Sequence, residues 1–179
     1  MSKLDDVLRF FINKCVDSSY VVNSVHIYHR IYLWGIRDED VLCSAALQNI
    51  VDKVDIAISD FNSNIINILH QISKPCGLSS FELEYEYFAR FAKNSSEELL
   101  LMALARQIFE MEMYYYRGQK EEAIECINKA FPIIDRVLNV LKKNKKDNIK
   151  DIILKEIQII EDRLGIKYCK PCKKFIPQR

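Results

Sequence analysis

Residues 99–141 constrain the fold more strongly than any other part of the chain. Their sequence, LLLMALARQIFEMEMYYYRGQKEEAIECINKAFPIIDRVLNVL, places apolar residues at helical spacing on both sides of Arg117-Gly118. Apolar residues that recur every three or four positions predict amphipathic helices, and glycine commonly ends a helix because it tolerates the left-handed backbone. The stretch therefore predicts two antiparallel helices joined at Gly118.

The rest of the chain repeats this helical pattern. Apolar spacing predicts further helices over about residues 4–16, 20–34, 79–93 and 148–164. The chain holds only four Gly and four Pro, which is too little turn punctuation for a β-sandwich or an α/β fold. We therefore expect an all-α protein of six to seven helices, a bundle or an array of helical hairpins. Residues 1–165 are expected to form a single helical domain, and residues 166–179 an extended basic tail.

A regular apolar seam lies in the middle of the first half. Its spacings alternate between four and three residues, as in coiled coils; its members are Leu47, Val51, Val54, Ile58, Phe61, Ile65, Ile68 and Ile72. A long core helix is favoured over an intermolecular coiled coil, because the opposite face lacks the charged pairs of such coils. Polar residues around Asp60 leave two shorter helices open, and a homo-oligomer built on the seam is an alternative.

Several helix starts carry capping signals. Ser79 is followed three residues later by Glu82, and Ser95 by Glu98, the spacing of a capping box. Acidic residues at 38–40 suit a helix N-terminus, where the macrodipole favours negative charge.

The hairpin segment 114–131, YYYRGQKEEAIECINKAF, resembles the middle of a tetratricopeptide repeat. Tyr114, Gly118, Ala123 and Ala130 occupy the aromatic, turn and small-residue positions of that family. The resemblance implies a helical hairpin and a surface that binds peptides. Met111 stands where the family has a small residue, and no 34-residue repeat follows.

Charge is divided unevenly along the chain. Residues 1–135 contain 13 Lys/Arg against 20 Asp/Glu, whereas residues 136–179 contain 13 Lys/Arg against 5 Asp/Glu. Such a basic segment suits nucleic-acid phosphates or another acidic partner; its candidate residues are Lys142, Lys143, Lys145, Lys146, Lys170, Lys173, Lys174 and Arg179, with Lys167 beside them. Tyr168 and Phe175 could stack on unpaired bases. The alternative is a solvated linker and tail.

The tail carries Cys169-Lys170-Pro171-Cys172, a CxxC spacing that can supply two of the four ligands of structural zinc. His26 and His29 share a helix face and could complete a Cys2His2 site. The alternative is two exposed cysteines on a flexible tail; a thioredoxin-type role would need a strand before the motif. Cys15, Cys43 and Cys126 fall within helical patterns and are expected to be buried thiols.

These features favour a non-enzymatic interaction or scaffold protein. It would be a subunit of a larger assembly, or an adaptor that contacts nucleic acid through the basic C-terminal quarter. Partners are expected to be protein, a second copy of the chain or nucleic acid, and zinc is the one cofactor considered. The competing function is a metal-dependent nuclease-type enzyme that uses acidic helix faces, with Glu82, Glu86 and Glu110 as its carboxylates. Without a membrane-length apolar run or a signal sequence, the chain is expected to be cytoplasmic.

Overall fold

A computed structural model describes residues 3–14, 16–51, 60–75, 77–78, 80–169 and 171–178. Contacts between Cα atoms divide the chain into two compact units, Met1–Cys76 (unit 1) and Gly77–Arg179 (unit 2). Each unit is described by itself. The expected single domain over residues 1–165 stays a prediction.

Unit 1 is built around one short helix. Its helices are α1 (Lys3–Asn13), α2 (Ser18–Leu33), α3 (Glu39–Leu47) and α4 (Ser63–Ile72). Helix α3 contacts α1, α2 and α4, and all its residues from Val41 to Leu47 are buried. Small side chains such as Ala45 and Ala46 let three neighbours approach it closely. Asp38 caps α3, since its Oδ1 accepts the Asp40 and Val41 N–H groups, as the acidic start signal predicts.

Unit 2 holds five helices and a small sheet. Its elements are α5 (Phe81–Asn94), α6 (Glu97–Tyr116), α7 (Lys120–Lys129), α8 (Phe131–Lys143), α9 (Asp147–Leu164), β1 (Ile166–Cys169) and β2 (Lys174–Pro177). Helix α6 supplies most of the core, with a nearly continuous run of buried residues from Leu99 to Met111, and packs against α7 and α8.

The all-α class is confirmed, but six to seven helices is wrong, because the described residues form nine. Two long predicted helices are interrupted. The second helix of the opening stretch breaks at Ala130, which ends α7 and begins α8, since Pro132 has no N–H to donate within a continuous helix. The seam of residues 47–72 is not one continuous helix either: turns follow Leu47 and return at Asp60, while Val54 and Ile58 lie outside the described residues.

The hairpin predicted for residues 99–141 is present as α6 and α7. Gly118 joins the two helices with φ +75°, a backbone angle that glycine adopts without strain. Ala123 and Ala130 are fully buried, so α6 and α7 approach closely. The resemblance to a tetratricopeptide repeat stays a prediction.

The segment predicted as an extended tail is folded. Strands β1 and β2 pair antiparallel, with Ile166 opposite Pro177 and Tyr168 opposite Phe175. Gly165 turns the chain from α9 into β1 with φ +66°. We call residues 166–177 the β-hairpin. The prediction failed because the segment was treated as solvated charge, although its apolar residues alternate with lysines as in a half-buried strand.

The capping prediction is displaced by one residue. Ser80 caps α5 through its Oγ, which accepts the Leu83 N–H, and Ser96 caps α6 by accepting the Leu99 N–H. None of the helices in the described part of the chain has the length and apolarity that a membrane span needs.

The burial of α6 generates a stability prediction. Leu104 is fully buried in α6, whereas Leu154 on α9 is 40% exposed. Leu104→Ala should lower the free energy of unfolding by about 2–5 kcal/mol, because it removes buried methyl groups and leaves a cavity. Leu154→Ala is the matched control and should cost well under half as much. Urea unfolding of both variants measures the difference, and equal losses would contradict the assigned core.

Candidate nucleic-acid interface

An aromatic cluster attaches the β-hairpin to the start of α8. The Tyr168 ring stacks on Phe131, with centroids 5.2 Å apart and planes 16° from parallel. Phe175 meets Phe131 and Tyr168 edge-on, at 6.4 and 5.6 Å. Phe131 and Phe175 are buried. The inner face of the β-hairpin is thus packed against the start of α8 within unit 2.

Polar contacts complete this attachment. The Phe175 N–H donates to Asn128 Oδ1 on α7 at 2.6 Å, and the Tyr168 N–H donates to the buried carboxylate of Glu161 on α9. The Tyr168 hydroxyl donates to Asp135 Oδ1 at 3.2 Å. Burial and the neighbouring Asp135 carboxylate raise the pKa of Tyr168 well above its usual range, so the phenol stays neutral and keeps this hydrogen bond.

This packing overturns one expectation. Tyr168 and Phe175 were considered as rings that could stack on unpaired bases, but Phe175 is 3% exposed and Tyr168 has its ring against Phe131. Base stacking needs an accessible ring face. Both aromatics serve the fold of the β-hairpin.

A groove of about 540 Å³ lies beside the β-hairpin, between α5 and α8. We call it the α5–α8 groove. Its lining residues come from α5, from the first turns of α8 and from the hairpin turn: Tyr85, Ala89, Ala92, Lys93, Phe131, Pro132, Asp135, Arg136 and Lys173. Tyr85 is half-buried and stacks on Phe81, with ring centroids 6.0 Å apart.

The α5–α8 groove carries a positive charge. Lys93, Arg136 and Lys173 are exposed, and none of them forms an ion pair with another residue that the structure describes. Asp135 is the only carboxylate among the lining residues that the structure describes, and its oxygens accept hydrogen bonds from Tyr168 and Asn139. The groove therefore presents three cations beside an aromatic ring.

The β-hairpin adds two more exposed lysines. Side chains alternate along a strand, so Lys167 and Lys174 lie on the face opposite the buried Ile166 and Phe175. Of the other predicted tail residues, Lys173 lines the α5–α8 groove, while Lys170 and Arg179 lie outside the described residues.

The predicted lysines do not form one patch. Lys142, Lys143, Lys145 and Lys146 are exposed where α8 meets α9, whereas the β-hairpin follows the other end of α9. The 18 residues of α9 span about 27 Å at the usual helical rise. Lys146 also has a structural role: its Nζ lies 2.5 Å from Glu97 Oε1, and Asn144 donates to Glu97 Oε2 at 2.6 Å.

The CxxC motif lies in the turn of the β-hairpin. Cys169 and Cys172 are joined as a disulfide, with Cα atoms 5.2 Å apart, and the Cys172 N–H donates to Cys169 Sγ at 3.3 Å. No group of three or more His, Cys, Asp or Glu that could hold a metal occurs among the residues described. His26 and His29 are exposed on α2 of unit 1, whereas the two cysteines belong to unit 2. Zinc binding by all four residues stays a prediction. Cys43 and Cys126 are buried thiols as expected, and Cys15 lies outside the described residues.

The acidic residues considered for metal catalysis are spread over two helices. Glu82 and Glu86 are exposed on α5, while Glu110 on α6 accepts hydrogen bonds from Arg106 at 2.9 Å and Gln107 at 3.0 Å. Glu84, between the first two, pairs with Lys129. Metal-dependent catalysis by these carboxylates stays untested.

Sequence analysis missed part of this site. Tyr85 and Lys93 were treated as ordinary positions of an amphipathic helix, and Arg136 contributed only to a charge count. No local motif links them, because they meet through the packing of α5 on α8. For Lys173 a usable signal was present, because apolar residues alternate with lysines in Ile166-Lys167-Tyr168 and Lys174-Phe175 on either side of the CxxC turn.

Comparison of the chain with protein-family models, curated proteins and solved structures finds no match. Function is therefore inferred from the geometry and charge of unit 2 alone.

Lys129 links α5 and α7 through two ion pairs, and its pKa leads to a prediction about pH. Its Nζ lies 2.7 Å from Glu84 Oε2 on α5 and 2.6 Å from Glu125 Oε1 on α7. Partial burial lowers the pKa of Lys129, but hydrogen bonds and charge from Glu125 and Glu84 outweigh burial and raise the pKa from 10.5 to about 12. A folded-state pKa above the unfolded value stabilises the fold fully below pH 10.5, and this contribution is lost as the pH rises through 12.

We therefore expect Lys129→Met to destabilise the protein below pH 10.5 and the difference from wild type to shrink between pH 10.5 and 12. Urea unfolding across this range measures the change. Lys155→Met is the control, because Lys155 is exposed and has no ion pair with a described residue. A Lys129→Met difference that stays constant with pH would contradict the assigned pairing.

Proposed function

We propose that this protein is a non-enzymatic adaptor or subunit of a larger assembly, and that it binds single-stranded nucleic acid in the α5–α8 groove. The observation that carries the proposal is the set of three exposed cations, Lys93, Arg136 and Lys173, which have no ion-pair partner among the described residues. Unpaired cations at one site are the usual means of binding a phosphate backbone.

Tyr85 favours nucleic acid over an acidic peptide as the ligand. Proteins that bind single strands combine a positive groove with aromatic rings on which bases stack. Tyr85 lies within the groove and is braced by its stack on Phe81, which is itself 37% exposed. The preference for a single strand rests on Tyr85, because bases can stack on its ring only when they are unpaired.

The test is binding of a fluorescently labelled single-stranded oligonucleotide, measured by anisotropy at several salt concentrations. A variant with Lys93→Gln, Arg136→Gln and Lys173→Gln should bind roughly tenfold or more weakly, and its salt slope should fall by about 2 if each cation contacts one phosphate.

The chain offers a matched control with the same change of net charge. A variant with Lys142→Gln, Lys143→Gln and Lys145→Gln removes three exposed cations at the other end of α9 and should bind within about twofold of wild type. Equal losses in the two variants would mean that binding follows net charge alone and would refute the groove. Binding of labelled polyglutamate that is lost in the groove variant, with no measurable binding of the oligonucleotide, would replace nucleic acid with an acidic protein as the ligand.

A further inference from the structure

We propose that Cys169 and Cys172 form a reversible thiol–disulfide site that controls ligand binding in the α5–α8 groove. The inference rests on the proposed function, because it concerns the cation Lys173, which lines the groove and directly follows Cys172. The disulfide closes a ring over residues 169–172, and Lys173, the next residue, lines the groove together with Phe131 and Arg136.

The backbone at Lys173 makes its position sensitive to the disulfide. Lys173 has φ +52°, in the left-handed region that residues other than glycine rarely adopt. While the disulfide is closed, the ring fixes Cys172 and the strand pairing of Cys169 with Lys174 fixes the next residue, so Lys173 is held between two restrained neighbours. Opening the disulfide leaves the Cys172 N–H···Sγ hydrogen bond and the pairing of Cys169 with Lys174 as the contacts across the turn, and it releases the restraint on Cys172. Lys173 can then return to an ordinary backbone angle and move its ammonium away from the groove.

The effect is confined to the turn because the rest of the β-hairpin is held independently. The Phe175 N–H remains bonded to Asn128, and the Tyr168 ring remains on Phe131. Lys93 and Arg136 lie on helices and keep their places. Reduction should therefore weaken binding by the contribution that one cation makes to the affinity, and it should leave the fold intact.

The chemistry is thiol–disulfide exchange with a dithiol. A thiolate of the dithiol attacks one sulfur of the disulfide, the Cys169–Cys172 bond breaks, and a mixed disulfide forms. The second thiol of the reagent then releases the protein. Each cysteine sulfur gains one electron and one proton, and the dithiol is oxidised to its own disulfide. Cys172 is exposed, which gives the reagent access.

The experiment compares oligonucleotide binding by the oxidised protein and by the protein after dithiothreitol treatment, with intact mass confirming each state. We expect reduction to weaken binding roughly fivefold, and by no more than Lys173→Gln weakens binding by the oxidised protein. A Cys169→Ser/Cys172→Ser variant should bind like the reduced wild type and should not respond to dithiothreitol. That variant also excludes effects through the other four cysteines.

Lys173→Asn is the decisive variant, because asparagine tolerates the left-handed backbone but carries no charge. Its binding should not depend on the redox state, whereas Lys167→Gln should keep the full dependence. Cleavage after Lys173 by trypsin provides a readout without ligand and should be faster in the reduced protein.

The outcomes separate the two proposals. If oxidised and reduced wild type bind equally while the Lys93, Arg136 and Lys173 triple variant loses binding, the redox inference fails and the proposed function stands. If neither redox state binds the oligonucleotide, the proposed function fails and the inference fails with it. Redox dependence that persists in Lys173→Asn would also overturn the inference, because another residue would then carry the effect.

Discussion

The stacking of Tyr168 on Phe131 is the contact on which the architecture around the groove depends. An isolated two-stranded hairpin is at best marginally stable in water, and here each strand has only four residues. Three ring contacts among Phe131, Tyr168 and Phe175 offset that weakness, at about 0.5–1.5 kcal/mol per aromatic pair beyond the area that they bury. Because Phe131 opens α8, the same cluster fixes the turn of the β-hairpin against the helix that carries Arg136.

Pro132 has a related role at the start of α8. A proline is well tolerated in the first turn of a helix but interrupts a helix that would otherwise continue through it. Helix α7 therefore ends at Lys129 and α8 begins at Phe131, with Ala130 as the cap between them. The break leaves both Phe131 and Pro132 in the lining of the groove.

Sequence reasoning succeeded where structure follows local rules. The turn at Gly118, the close packing at Ala123 and the helix start at residues 38–40 each depend on residues within a few positions, and all three were predicted. It failed where distant segments decide. Alternation around the CxxC turn was visible, yet whether Tyr168 and Phe175 face solvent or protein depends on Phe131, more than thirty residues upstream. The groove depends on the packing of α5 against α8, which no local pattern records.

The same distinction applies to charge. The basic C-terminal quarter was predicted to bind phosphates from the number of its charges alone, but the structure places its lysines in different environments. Lys146 pairs with Glu97 at the start of α6, and Lys129 pairs with both Glu84 and Glu125, so each of these lysines already has a carboxylate partner within the fold. A phosphate gains most from a cation that has no carboxylate beside it, because it then displaces only solvent and counterions. By that criterion Lys93, which lies in the acidic segment 1–135, is a stronger candidate for phosphate binding than Lys146 in the basic segment 136–179.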